Sequence, residues 1–218
     1  MRTISLTFDN GPEPGVTDFV LDTLAARDIR AAFFVVGSKL ERDESLGCAR
    51  RAVREGHRVG NHSYHHREPL GLLDPEASRA EIARTQALLE GFVTERLFRP
   101  LGGEGREGAL GDHLLNPAAR DLLIAERFTV VLWNVVPRDW ERPHDWADVA
   151  LERCRQIDQA VVVLHDLPGG ALAHLPAFLD RALEEGAQFT SDFPPSCVVV
   201  ERGVPRDGLE AYVRMVNP

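Results

Sequence analysis

From Ile4 to Phe8 the chain carries a short apolar run that predicts a strand, and the cluster Asp9-Asn10-Gly11-Pro12 stops it as a turn. Between Val16 and Arg27 the apolar positions Val16, Phe19, Val20 and Leu24 recur at near-helical spacing, which predicts a helix. Ala31 to Val36 (AAFFVV) is a continuous apolar run of the kind a buried strand shows. This β-α-β opening repeats: a helix from about Glu44 to Glu55, then Arg58-Val59-Gly60-Asn61, a histidine-rich segment, and a long helix from Pro75 to Phe92. Further strands are expected at Thr129 to Val135, Ala160 to His165 and Cys197 to Glu201. Strands alternating with helices predict an α/β fold on a parallel sheet, closed as a barrel or open. The glycine-rich stretch between Leu101 and Leu115 fits no element and reads as a long surface loop, a kind of segment that often serves function.

Length and composition narrow this picture. A chain of 218 residues is expected to form one domain, residues 1–218, around one core. With 44% hydrophobic and 27% charged residues it has ordinary globular usage, so it should fold. A formal net charge of -9 argues against a phosphate-binding surface, and no nucleic-acid partner is expected. Cys48, Cys154 and Cys197 are far apart and odd in number, which argues against a disulfide framework. The opening MRTISLTFDNGPEP shows no secretory pattern, and no apolar run approaches the roughly 18 residues that span a bilayer. The expectation is a cytoplasmic protein without a membrane partner.

Polar residues gather at the predicted carboxyl ends of strands: Asp9-Asn10, His62 and His66, Asp139-Trp140, and His165-Asp166. In parallel α/β folds that edge is where active sites form. His62 and His66 are four apart, so on a helical segment both imidazoles project from one face, at a spacing that lets them share a metal ion. His65 then points elsewhere, and Asn61 or Ser63 is positioned to cap the turn. Each residue also has an ordinary reading alone: Asp9 and Asp139 as loop aspartates, His165 as a satisfied core histidine, HSYHH as a surface cluster. Placed at a loop edge, Asp9 is expected to contribute little to stability.

Five collinear segments together carry more weight: TFDNGP (7–12), HSYHH (62–66), RPLGG (99–103), RDW (138–140) and VLHD (163–166). In order and spacing the chain resembles the polysaccharide deacetylases of carbohydrate esterase family four. The resemblance implies a distorted parallel (β/α) barrel with a groove across its top. It implies Asp9 as general base, Arg99 as the residue that orients it, and His165 as the acid held by Asp139. It implies His62 and His66, with position 10, as ligands of a divalent metal, zinc or cobalt. It also implies that the Gly102 backbone N–H helps bind the oxyanion, and that Trp140 and Leu164 line the pocket for the acyl methyl group. The residue types suit the cleavage of an amide: a base to activate water, donors for the oxyanion, and a histidine to protonate the departing amine.

The chain departs from the family pattern at three points. Asn10 replaces the second aspartate of TFDDGP, so a neutral carbonyl stands where a carboxylate would ligate the metal; binding should be weakened or absent. RPLGG lacks the second proline and the tyrosine of RPPYG, which puts Gly102 at the tyrosine position and opens a wall of the groove. Val136 replaces the first aspartate of DxxDW. Three functions follow: a metal-assisted N-deacetylase acting on an N-acetylated sugar or oligosaccharide; a metal-independent, allantoinase-like amidohydrolase acting on a small amide or ureide; or a catalytically silent carbohydrate-binding protein. The stretch from Gly102 to Leu115, with Glu104, Arg106, Glu107, Asp112 and His113, either covers the groove or is a solvated insertion.

Overall fold

The computed structural model describes residues 2–102, 109–169 and 171–215. Strand β1 (Thr3–Asp9) alternates strictly, with Thr3, Ser5, Thr7 and Asp9 on one face and Ile4, Leu6 and Phe8 on the other. The apolar face enters a core shared with helices α1 (Val16–Ala25) and α2 (Asp43–Arg54), and β2 (Ala32–Val35) lies beside β1 in parallel register. Strand β3 (Arg58–Asn61) continues the sheet and leads to α3 (Pro75–Leu89). That helix starts where predicted: Asp74 caps it by accepting from the Glu76 and Ala77 amides, and Pro75 fills the first position. It ends at Leu89 rather than Phe92, because Gly91 turns the chain out with φ 92°.

The second half repeats the logic with β4 (Leu97–Phe98), α4 (Pro117–Ala125), β5 (Thr129–Val131), α5 (Trp146–Arg155), β6 (Gln159–His165) and α6 (Leu175–Glu184). Strands β7 (Gln188–Thr190), β8 (Val198–Glu201) and β9 (Val204–Pro205) complete the order. The sheet runs β6-β1-β2-β3-β4-β5-β8-β9, with β7 on the first half of β1. It is not wholly parallel as predicted: β8 pairs antiparallel with both β5 and β9. The strand expected over Thr129 to Val135 is split. It leaves the ladder after Val131, and the Asn134 side chain takes over by accepting from the Val161 amide and donating to the Gln159 carbonyl. Val135 then bridges Val162 in parallel, bringing the far end of the sheet back to β6 and curving it into the distorted barrel.

Along β6, Ala160, Val162 and Leu164 belong to the core packed under α1, α2, α5 and α6, while Val161 and Val163 belong to a second core on the opposite face. This period of two fixes which side chains face the barrel interior. The three cysteines are buried and free. Among the described residues no helix is long and apolar enough to cross a membrane.

Candidate active site

Asp9 closes β1, where its Cα is paired in register with Phe34 on one side and His165 on the other. Only 4% of it is exposed, so it is part of the packed strand end and not a loop edge as expected from sequence. Its partner is Arg99, the residue after β4, which is fully buried. Arg99 Nη1 donates to Asp9 Oδ1 at 2.9 Å and to Thr7 Oγ1 at 2.6 Å. Its Nε and Nη2 donate to the carbonyls of Val131 and Leu132, and the guanidinium sits 4.1 Å from the centre of the Phe34 ring. Thr7 and Asp9, neighbours on the polar face of β1, thus both receive this cation.

His62 and His66 meet without a helix. Asn61 Oδ1 accepts the Ser63 amide at 2.9 Å, and Ser63 and His66 adopt left-handed φ values of 66° and 54°, folding the segment back on itself. His62 Nδ1 lies 2.8 Å from the Arg99 carbonyl. A carbonyl only accepts, so Nδ1 carries the hydrogen and Nε2 presents a lone pair. That Nε2 lies 3.1 Å from His66 Nε2 and 3.7 Å from Asp9 Oδ2. Burial holds both imidazoles well below their usual range, at about 3, so both are neutral at neutral pH. His65 turns away to Glu81, as expected.

Asn10 has φ 73°, a conformation asparagine tolerates better than most residues, and its Oδ1 is buried without a hydrogen-bond partner. Two neutral imidazoles and an orphaned carbonyl oxygen are donors of the type a divalent cation takes. The set carries no charge of its own at position 10, however, and among the described residues no three His, Cys, Asp or Glu side chains form a metal cluster.

Across β1 from this group, His165 Nδ1 is 2.8 Å from Asp139 Oδ1, and Asp139 Oδ2 accepts the His165 amide at 2.9 Å. Burial alone would lower the His165 pKa, but the hydrogen bond and charge of Asp139 reverse this and raise it above its usual value. The Trp140 ring meets His165 edge-on with centroids 4.7 Å apart, and at 47% exposure it borders solvent. Leu164 does not line the pocket as the resemblance implied. It is fully buried in the helix-side core, one residue out of phase with His165, and the β6 residue on the same face as His165 is Val163.

Gly102 accepts from His113 Nε2 through its carbonyl, at 2.8 Å. The following residues 103–108, including Glu104, Arg106 and Glu107, lie outside the described residues, while Asp112–Leu114 forms a 3-10 turn with His113 and Leu114 buried. Sequence reasoning gave no role to Thr7, His113 or Asp166. The alternation of TISLTFD already marks Thr7 as sharing a face with Asp9. Asp166, next to the site histidine, is 1% exposed. It accepts from Thr17 Oγ1 at 2.5 Å, and Thr17 in turn accepts the Glu13 amide at 2.7 Å. Burial pushes the Asp166 carboxyl up to about 7, against the lowering effect of Thr17.

Known proteins resemble this chain in sequence and in fold. The family model for polysaccharide deacetylase matches residues 1–112. A chitooligosaccharide deacetylase of Rhizobium leguminosarum bv. trifolii is 34% identical over 167 residues, covering 76% of this chain and 72% of the relative. A peptidoglycan-N-acetylglucosamine deacetylase of Listeria monocytogenes is 26% identical over 87% of this chain, which spans only 38% of that relative's length. The structure of a family 4 carbohydrate esterase from Streptomyces lividans in complex with acetate superimposes with a TM-score of 0.74 at 28% identity, covering 92% of this chain and 97% of that one. On fold, motif order and sequence together, the chain belongs to the polysaccharide deacetylase family.

Proposed function

We propose that this protein is a C–N hydrolase that removes the N-acetyl group from an amino sugar or oligosaccharide by acid/base catalysis between Asp9 and His165. One observation carries the reading: the two residues end adjacent strands in direct register, each with a dedicated buried partner. Arg99 occupies Asp9 Oδ1, so Oδ2 is the oxygen that takes a proton from attacking water. The water oxygen bonds to the amide carbon, and the Gly102 N–H stabilises the oxyanion that forms. Asp139 holds His165 Nδ1, leaving Nε2 to protonate the amine as the C–N bond breaks and acetate departs. Trp140 walls the pocket beside His165. His62, His66 and Asn10 would hold a divalent cation, zinc or cobalt, which supplies Lewis acidity that makes water a better nucleophile near neutral pH. The substrate classes named for the Rhizobium and Listeria relatives support an N-acetylglucosamine unit.

Asn10 favours a second reading, cation-independent hydrolysis of a small amide, because it removes a charge from the candidate ligand set. The test is acetate release from N-acetylglucosamine oligomers and from small N-acetyl amides, with zinc, with cobalt and with chelator. Release that requires a cation supports the first reading, and turnover of a small amide that survives chelator supports the second. No release from any substrate under any of these conditions refutes both and leaves a carbohydrate-binding protein.

A further inference from the structure

The Gly102 backbone is the least restrained part of the proposed site by sequence. Glycine lacks the Cβ that narrows φ and ψ, and here two glycines stand in succession at 102 and 103. Yet the Gly102 carbonyl is held by a side chain that is itself fixed. His113 is 3% exposed, and its Nε2 lies 2.8 Å from that oxygen. Because the acceptor is a carbonyl, Nε2 must carry the hydrogen. The turn bearing His113 is clamped to the scaffold. Leu114 is fully buried in the second core, and Leu115 exchanges backbone hydrogen bonds with Tyr212 and Arg214. Two more glycines make room for it. A Cβ on Gly71 would sit 2.4 Å from the His113 carbonyl oxygen, and one on Gly111 would sit 3.0 Å from His113 Nδ1.

We infer that His113 is a positioning residue that sets the Gly102 backbone for oxyanion binding, doing for a glycine what a side chain at position 102 would otherwise do. The inference rests on the proposed role of the Gly102 N–H. Its test compares His113→Gln, whose amide nitrogen reaches where Nε2 lies, with His113→Phe, which fills the ring volume without a donor. Kinetics on an N-acetylglucosamine oligomer are read beside hydrogen–deuterium exchange over residues 99–102. In His113→Phe, kcat should fall roughly tenfold to a hundredfold with KM within about twofold, since a misplaced oxyanion donor affects the transition state more than binding. Exchange over 99–102 should quicken, and His113→Gln should restore both. A His113→Phe protein with unchanged kcat and exchange, a loss confined to KM, or a loss that glutamine does not rescue overturns the inference. If the unsubstituted protein releases no acetate, the functional reading fails by itself, and the exchange comparison still decides whether His113 holds Gly102.

Discussion

Asp166→Asn should stabilise the protein above neutral pH. The carboxyl is 1% exposed, one oxygen takes the Thr17 hydroxyl, and the other is buried without a partner. Burial therefore holds its pKa near 7, against an ordinary value of 3.8. The folded state keeps this proton to higher pH than the unfolded chain does, so between pH 4 and 7 the unfolded chain is the form that releases it. Stability from this group is complete below the unfolded pKa and is lost as pH rises through the folded one. At about 1.4 kcal/mol per pK unit, the loss is on the order of 4 kcal/mol, and more than half of it falls between pH 5 and 8. Asparagine matches the shape, can still accept from Thr17, and does not titrate. Urea unfolding of both proteins from pH 5 to 8 should show the stability difference growing in favour of the variant by that amount, then levelling off. A difference constant across the range would mean that Asp166 is ionised in the folded protein throughout, and the burial argument would be wrong.

Asp9→Asn should lower kcat by roughly 10²–10⁴ through loss of the base. It should also destabilise by roughly 3–5 kcal/mol, because the fully buried Arg99 loses its counter-charge; an unchanged urea midpoint would contradict this pairing. In Asp139→Asn the His165 pKa falls, so the alkaline limb of the kcat–pH profile should move to lower pH, and an unmoved limb removes His165 as the proton donor. Asn10→Asp should tighten zinc or cobalt binding by about tenfold or more, on the order of 1.4 kcal/mol, in a calorimetric titration. Equal affinities would show that position 10 does not face the ion.

Much of the site was legible because strand ends write their functional residues as short contiguous words. TFDN, VLHD and RDW name Asp9, His165 and Asp139, and a parallel sheet brings such ends to one edge. What could not be read depends on distance or on local backbone. The weight Asp9 bears in the fold comes from Arg99, 90 residues away, through a strand β4 of only two residues that has no periodicity to detect. The histidine pair converges through left-handed backbone at Ser63 and His66, whereas spacing alone suggested a helix. Leu164 is a different failure: the alternation along β6 was visible, and following it two residues back from His165 leads to Val163. The helix α6 was equally open to reading, since Leu175, Phe178, Leu179 and Ala182 recur at helical spacing and are all buried.

The charges around the pocket explain why position 10 matters more than its size suggests. Asp9 is matched by Arg99, and Asp139 by a His165 whose proton it helps retain. His62 and His66 are neutral. Asp9 and Asp139 thus each have a partner within the protein, and Asn10 adds no charge. An aspartate at position 10 would introduce a negative charge that these pairs leave unmatched, so a divalent cation would neutralise it and be held by it. With asparagine, a bound dication meets no carboxylate at position 10, and the donor atoms alone favour it there. Chelator sensitivity should therefore turn on this one side chain, while the proton transfers assigned to Asp9 and His165 keep their geometry in either case.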